Sequence, residues 1–313
     1  MTCYTAYGLT IRSAFDLPEL PISARGDSSV DVVIRFGDVD PVPSSVPGEG
    51  GRRIEADSSV CRLSYETIGT FLVEEGKRVL FDPSPAFERR PGERPPKVVR
   101  RLLQNEMMGV LLHQRNALVL HASAVSVEGT GAVFLGPRGA GKSTTAAAFH
   151  AAGRTILEDD VVGIRFEESQ PTVLPGVPQL RLLPDAVDAL GVTGTTQPET
   201  DTDSKKRYKH LDVAPEPIPL GACYLLEEAD HLEFGRLEPP DRVFQLISRT
   251  YTGGMLGETD ATGVNFRQCS TVAETVPFRV LRRPKTHRSL SEVVDLVVAD
   301  LRSLEKAPIT ESS

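Results

Sequence analysis

Residues 136–143 read Gly136-Pro137-Arg138-Gly139-Ala140-Gly141-Lys142-Ser143, with Thr144 next. The spacing is that of a phosphate-binding loop. Gly136 and Gly141 let the backbone wrap tightly, so that successive N–H groups converge on one anion. Lys142 brings a positive charge to the β- and γ-phosphates, and Ser143 offers a hydroxyl to Mg²⁺. A helix begun here turns its positive N-terminal end toward the same centre. Gly136 through Thr144 are therefore the expected nucleotide-binding residues, with ATP and Mg²⁺ as the expected cofactors.

The flanks agree with this reading. Gly131-Ala132-Val133-Phe134-Leu135 is an apolar run of strand length, and 143–152 is rich in Ala and Thr before the natural helix stop Gly153. Residues 154–157 predict another strand, ending in Glu158-Asp159-Asp160. Upstream, 117–127 reads as one long strand that contains His121, turned back by Glu128-Gly129 into the strand before the loop. Before it, Val98, Leu102, Met108, Leu111 and Leu112 give the apolar face of a helix over 97–113.

Further out, 4–11, 31–36, 60–65, 71–74 and 78–81 have strand composition, with 75–77 closing a hairpin. Breaker clusters fall at 41–51 and 83–96. Downstream, strands are expected at 222–227 and 278–281, and helices at 241–250 and 290–301. Ser289 and Glu292 have capping-box spacing before the last helix. Residues 193–209 are polar and read as an exposed loop. The expected organisation is a β-rich N-terminal domain over 1–96, an α/β catalytic domain over 97–308 and a disordered tail over 309–313.

Composition narrows the partners. The chain has 313 residues, 40% hydrophobic and 25% charged, enough for a substantial core. Its net charge of −8 and lack of a basic run argue against nucleic acid. Trp is absent, so stacking platforms for single strands are not expected. Cys3, Cys61, Cys223 and Cys269 lie far apart, without metal-ligand spacing, and read as free thiols in a reducing compartment. No leader and no membrane-length apolar stretch is read, so the expectation is a cytoplasmic protein without a membrane partner.

Asp159 and Asp160 are the second chemical signal. Neighbouring residues at a strand end diverge, so one carboxylate can hold Mg²⁺ while the other accepts the proton of an attacking hydroxyl. Without the loop sixteen residues before, the same pair would read as a turn cap. His121 reads as a packing residue or, beside the loop, an active-site residue. Arg181 projects from the proline-bounded run 175–184, as a phosphate contact or a surface charge. Lys205, Lys206 and Arg207 form a basic cluster, either a solvated loop or a clamp over the γ-phosphate or an acidic substrate.

The order Leu120-His121-Ala122-Ser123-Ala124-Val125, then the loop, then Leu157-Glu158-Asp159-Asp160-Val161 resembles the HPr kinase/phosphorylase superfamily. The run 175–184, Tyr7 to Ser13 and Leu17-Pro18-Glu19-Leu20 are similar to its HPr-kinase-related branch, some members of which phosphorylate a C-terminal serine in lasso-peptide maturation. The resemblance implies a P-loop kinase core of the HPr kinase C-terminal type behind a β-rich domain. It implies an ATP- and Mg²⁺-dependent kinase acting on a hydroxyl, serine above all, of a peptide, protein or small molecule. On that basis Lys142 and Ser143 bind phosphate and Mg²⁺, Asp159 is the general base, Asp160 a metal ligand and His121 the active-site histidine. A homo-oligomer is implied as well. The Glu-(Ile/Val)-Arg-Gly signature of HPr kinases is not present, which leaves the acceptor and any phosphorylase reaction open. The competing expectation is a nucleotide-binding regulatory protein or ATPase without a separate phosphoacceptor.

Overall fold

The computed structural model describes residues 1–26, 29–85, 96–168, 170–177, 179–182, 184–190, 195–198, 206–209, 216–286 and 289–306. The described residues form a mixed α/β structure with three sheets. The first contains β1 (Thr2–Ala6), β2 (Leu9–Ser13), β3 (Val32–Phe36), β4 (Gly48–Glu49), β5 (Arg52–Ala56), β6 (Val60–Tyr65), β7 (Gly69–Glu74) and β8 (Arg78–Pro83), in the order β1-β2-β3-β8-β7-β6-β5-β4. The run expected as one strand over 4–11 is a hairpin instead. Tyr7 and Gly8 both have positive φ (56° and 73°) and form a two-residue turn between β1 and β2. Phe71 stacks on Phe81 at 4.5 Å and Phe15 packs on Phe36, which gives this sheet an aromatic core.

The helix expected over 97–113 has three parts: α1 (Lys97–Leu102), a π-helical turn (Leu103–Met107) and α2 (Met108–Gln114). It packs its buried Val99, Leu103, Met107, Val110 and Leu111 into the same core as Ile11, Ile34, Phe71 and Phe81 of the first sheet.

The second sheet has nine strands among the described residues, three of them from the C-terminal part described below and the others β9 (Leu118–Leu120), β10 (Ser123–Val127), β11 (Thr130–Leu135), β12 (Thr155–Asp159), β13 (Val162–Glu167) and β14 (Gln170–Val173). The strand expected over 117–127 is thus broken. Its first part pairs with β13 and its second lies between β11 and β12, so His121 sits in the break rather than within a strand. α3 (Lys142–Ala151) follows β11, and Gly153, at φ 75°, ends it as expected.

A third, small sheet pairs β15 (Gln179–Leu182), β16 (Thr195–Pro198) and β17 (Lys206–Lys209), with α4 (Pro184–Leu190) between β15 and β16. The described parts of the expected 193–209 loop are therefore strands; the rest of that loop, Lys205 included, lies outside the described residues.

β18 (Ile218–Glu228) runs parallel to β11 and to β20 (Phe278–Arg283), and β19 (Glu233–Gly235) edges β20. α5 (Pro239–Ile247), with prolines in its first turn, and α6 (Thr262–Thr275) pack over this part. α7 (Leu290–Lys306) closes the other face with Val293, Val297 and Leu301. Ser289 does not act as the expected box: its hydroxyl donates backward to the carbonyls of Pro284 and Thr286. The 309–313 tail and part of the 83–96 boundary fall outside the described residues. Among the described residues, no helix is long and apolar enough to cross a membrane.

Candidate active site

Strand pairing brings the loop and the acids to one end of the sheet. Ser123 of β10 is opposite Phe134 on one side and Asp159 on the other. The chain leaves β11 into the 136–141 loop after Leu135, and leaves β12 at Asp159, both at that end. At about 4.8 Å per strand, Asp159 lies roughly 10 Å across the sheet from the start of the loop.

The loop is tight. A Cβ on Gly136 would meet the Ala140 Cβ at 2.9 Å. Gly141 has φ 89° and caps α3, and a Cβ there would fall 2.3 Å from an Arg283 guanidinium nitrogen. Lys142, buried at the first position of α3, donates through Nζ to the carbonyls of Gly136 (3.0 Å) and Pro137 (3.3 Å). Ser143 and Thr144 are half-buried in the same helical turn. The Thr145 hydroxyl donates to the Gly141 carbonyl at 2.9 Å, which steadies the turn.

The acid pair diverges. Asp159 is buried, and the Ser123 hydroxyl donates to its Oδ1 at 2.6 Å. Asp160 has left the strand at φ 113°, an unusual backbone for a residue with a side chain, and its N–H donates to the Ala122 carbonyl at 2.9 Å. Both its oxygens have partners: His121 Nδ1 lies 2.8 Å from Oδ1, and Asn105 Nδ2 donates to Oδ2 at 3.0 Å. His121 is therefore joined to Asp160, the expected metal ligand, rather than to Asp159. Asn105 comes from the π-helical turn, a distortion that often re-aims a side chain at a site.

Behind the pair lies Glu158, buried among donors. The Asp159 N–H donates to Oε1 at 2.9 Å and the Val177 N–H to Oε2 at 2.5 Å. The Tyr7 hydroxyl shares its one hydrogen between Oε2 at 3.0 Å and the Val161 carbonyl at 3.2 Å. Burial holds the Glu158 carboxyl well above the usual carboxylate range despite these donors, and burial followed by the Glu158 charge raises the Tyr7 phenol. Gly176 is wedged in between: a Cβ there would lie 1.8 Å from Glu158 Oε2 and 2.6 Å from the Tyr7 ring.

The remaining expected residues are dispersed. Arg181 and Arg207 are opposite each other in β15 and β17, but their side chains lie outside the described residues, as does that of Lys206. Among the described residues, no three His, Cys, Asp or Glu side chains gather as a metal cluster. The sequence reading missed Ser123, Asn105 and Tyr7 as site partners. The first could have been found from its register opposite Asp159; the other two carry no local signal.

No family model and no curated protein matches the chain. Among solved structures it is similar to the Hpr(Ser) kinase/phosphatase from Coxiella burnetii, at 12% identity and a TM-score of 0.30, over 60% of this chain and 98% of that one. A likeness at that TM-score carries no weight for function, so the functional reading rests on the residues themselves.

Proposed function

We propose that this chain is an ATP- and Mg²⁺-dependent kinase that phosphorylates a hydroxyl, serine foremost, on a peptide, protein or small molecule. One observation carries the reading: Ser123 pairs with both Phe134 and Asp159, so a glycine-rich loop of phosphate-binding spacing and a buried carboxylate share one end of the sheet. The residues fit a nucleotide. Gly136 is crowded by the Ala140 Cβ and Gly141 has the positive φ of 89° that favours glycine, and Lys142 Nζ, now on the loop's own carbonyls, can exchange them for phosphate oxygens. Ser143 and Asp160 would supply hard oxygen donors to Mg²⁺, and the bound ion would neutralise charge on the transferred group.

The chain's own residues do the rest. The attacking hydroxyl oxygen forms its bond to the γ-phosphorus as the bond to the β–γ bridging oxygen breaks, and ADP departs. Asp159 takes the hydroxyl proton, oriented by Ser123 at 2.6 Å. His121 and Asn105 fix Asp160 in its strained backbone position. The test is transfer of γ-labelled phosphate from ATP into a cell extract, with mass spectrometry of the labelled species. A phosphoserine, or another phosphate ester, is expected, lost in Lys142→Ala. Release of inorganic phosphate with no labelled acceptor would replace the kinase reading with an ATPase.

A further inference from the structure

Gly109 is buried inside α2, a position where alanine would be the better helix former. Its neighbour gives the reason for glycine. A Cβ on Gly109 would lie 2.8 Å from Cδ1 and 2.9 Å from Cε1 of Tyr251, so the phenol ring rests on the bare backbone of the helix. A ring has no flexible end that could give way. Val161, next after the acid pair, stands 3.8 Å from the same point.

Tyr251 belongs to a short segment that holds the break in the chain at His121. The Tyr251 N–H donates to the Val119 carbonyl at 2.8 Å, Thr250 forms an antiparallel bridge with Leu120, and the Arg249 carbonyl accepts the His121 N–H at 2.8 Å. Asn265 Nδ2 donates to the Thr250 hydroxyl at 3.2 Å, which anchors the segment to α6. The Tyr251 and His121 rings lie 6.4 Å apart between centroids, and His121 Nδ1 is 2.8 Å from Asp160 Oδ1. The helical run 97–114 therefore reaches both Asp160 oxygens. Asn105 meets Oδ2 directly, and Gly109 acts on Oδ1 by way of Tyr251 and His121. We propose that Tyr251 is a positioning residue for phosphoryl transfer: seated on Gly109, it sets segment 249–251 and with it the angle at which His121 meets Asp160. This rests on the kinase reading above, in which Asp160 serves the transferred phosphate.

Gly109→Ala displaces the ring and tests this. Three quantities are read: the rate of labelled-phosphate transfer from saturating ATP into cell extract, ATP affinity by calorimetry, and the His121 ring resonance in NMR, assigned with His121→Asn. The transfer rate is expected to fall about 10- to 100-fold with ATP affinity kept within about twofold, and the His121 resonance to shift. Tyr251→Ala is expected to lose as much. Adding Gly109→Ala to it is expected to cost nothing further, because the obstructing ring atoms are gone. Tyr251→Phe keeps the ring and is expected to transfer at close to the wild-type rate. Equal losses from Gly109→Ala in the two backgrounds overturn the proposal, as does a fall in ATP affinity as large as that in rate, or an unmoved His121 resonance. If Gly109→Ala does not fold, Tyr251→Ala against Tyr251→Phe decides by the same readings. A wild type that transfers no phosphate overturns the kinase reading instead, and the His121 resonance still decides whether Tyr251 sets that ring.

Discussion

Asp159 and Asp160 show how two adjacent identical residues come to different tasks. Asp159 keeps strand geometry and meets Ser123; Asp160 is twisted out to φ 113° and meets His121 and Asn105. Asp159→Asn keeps the shape but cannot take a proton. Transfer is expected to fall about 10²–10⁴-fold while ATP still binds, as calorimetry alongside labelled-phosphate transfer would read. Full activity in that variant would remove Asp159 as the base. Asn105→Ala removes one hydrogen bond from Asp160, and its effect belongs to the turnover rate. A loss of roughly tenfold in kcat with unchanged ATP affinity is expected, in line with one hydrogen bond to a charged group. A change in ATP affinity alone would mean that Asn105 serves nucleotide binding instead.

Elements were legible where apolar spacing and punctuation coincide, as in β11, α3 and α7. They were hidden where buried positions carry other chemistry. α6 buries Asn265, Cys269, Val272 and Ala273 at helical spacing, but Asn, Cys and Ala give little apolar signal and Phe266 faces outward. The break at His121 has no breaker residue. It exists because the His121 N–H goes to the Arg249 carbonyl, and the Ala122 carbonyl to the Asp160 N–H, partners distant in sequence. The β1–β2 turn is a similar case: a bulky Tyr7 at positive φ is costly locally and is held by burial and by the Glu158 contact. Tyr7→Phe removes one donor from a buried carboxyl and is expected to lower stability by about 1–3 kcal/mol, measured by urea unfolding. Gly176→Ala has no space between Glu158 and Tyr7 and is expected to cost about 1–3 kcal/mol or more. If Gly176→Ala unfolds like wild type, the wedge is not as tight as the geometry requires.

Across the whole molecule, one apolar core joins Phe71 and Phe81 of the first sheet to Leu111 of α2, Val161 after β12 and Val177 of the proline-bounded run. The cysteines follow from this burial. All four are buried and none forms a disulfide, and Cys61, Cys223 and Cys269 have thiols pushed up to about 12 by burial. A thiol reagent at neutral pH is expected to leave these three unmodified until urea opens the fold. The half-buried His113 adds a pH dependence. Burial lowers its pKa, so over that interval the unfolded chain binds a proton that the folded chain does not. Stability contributed by neutral His113 is present above the ordinary histidine value and is lost as pH falls through the lowered one. His113→Gln is expected to shrink the drop in melting temperature between about pH 7.5 and about pH 5.5; an identical drop in both proteins would assign it to other groups. The contact of Tyr7 with Glu158 has a consequence for recombination. Glu158 precedes the acid pair directly, and its phenol partner is contributed from the seventh residue of the chain. A chimera with a foreign first sheet would need a tyrosine at the same spot, or it would leave an acid sealed against an empty slot. Shuffled between proteins, the first sheet and the acid-bearing strand travel as one cassette.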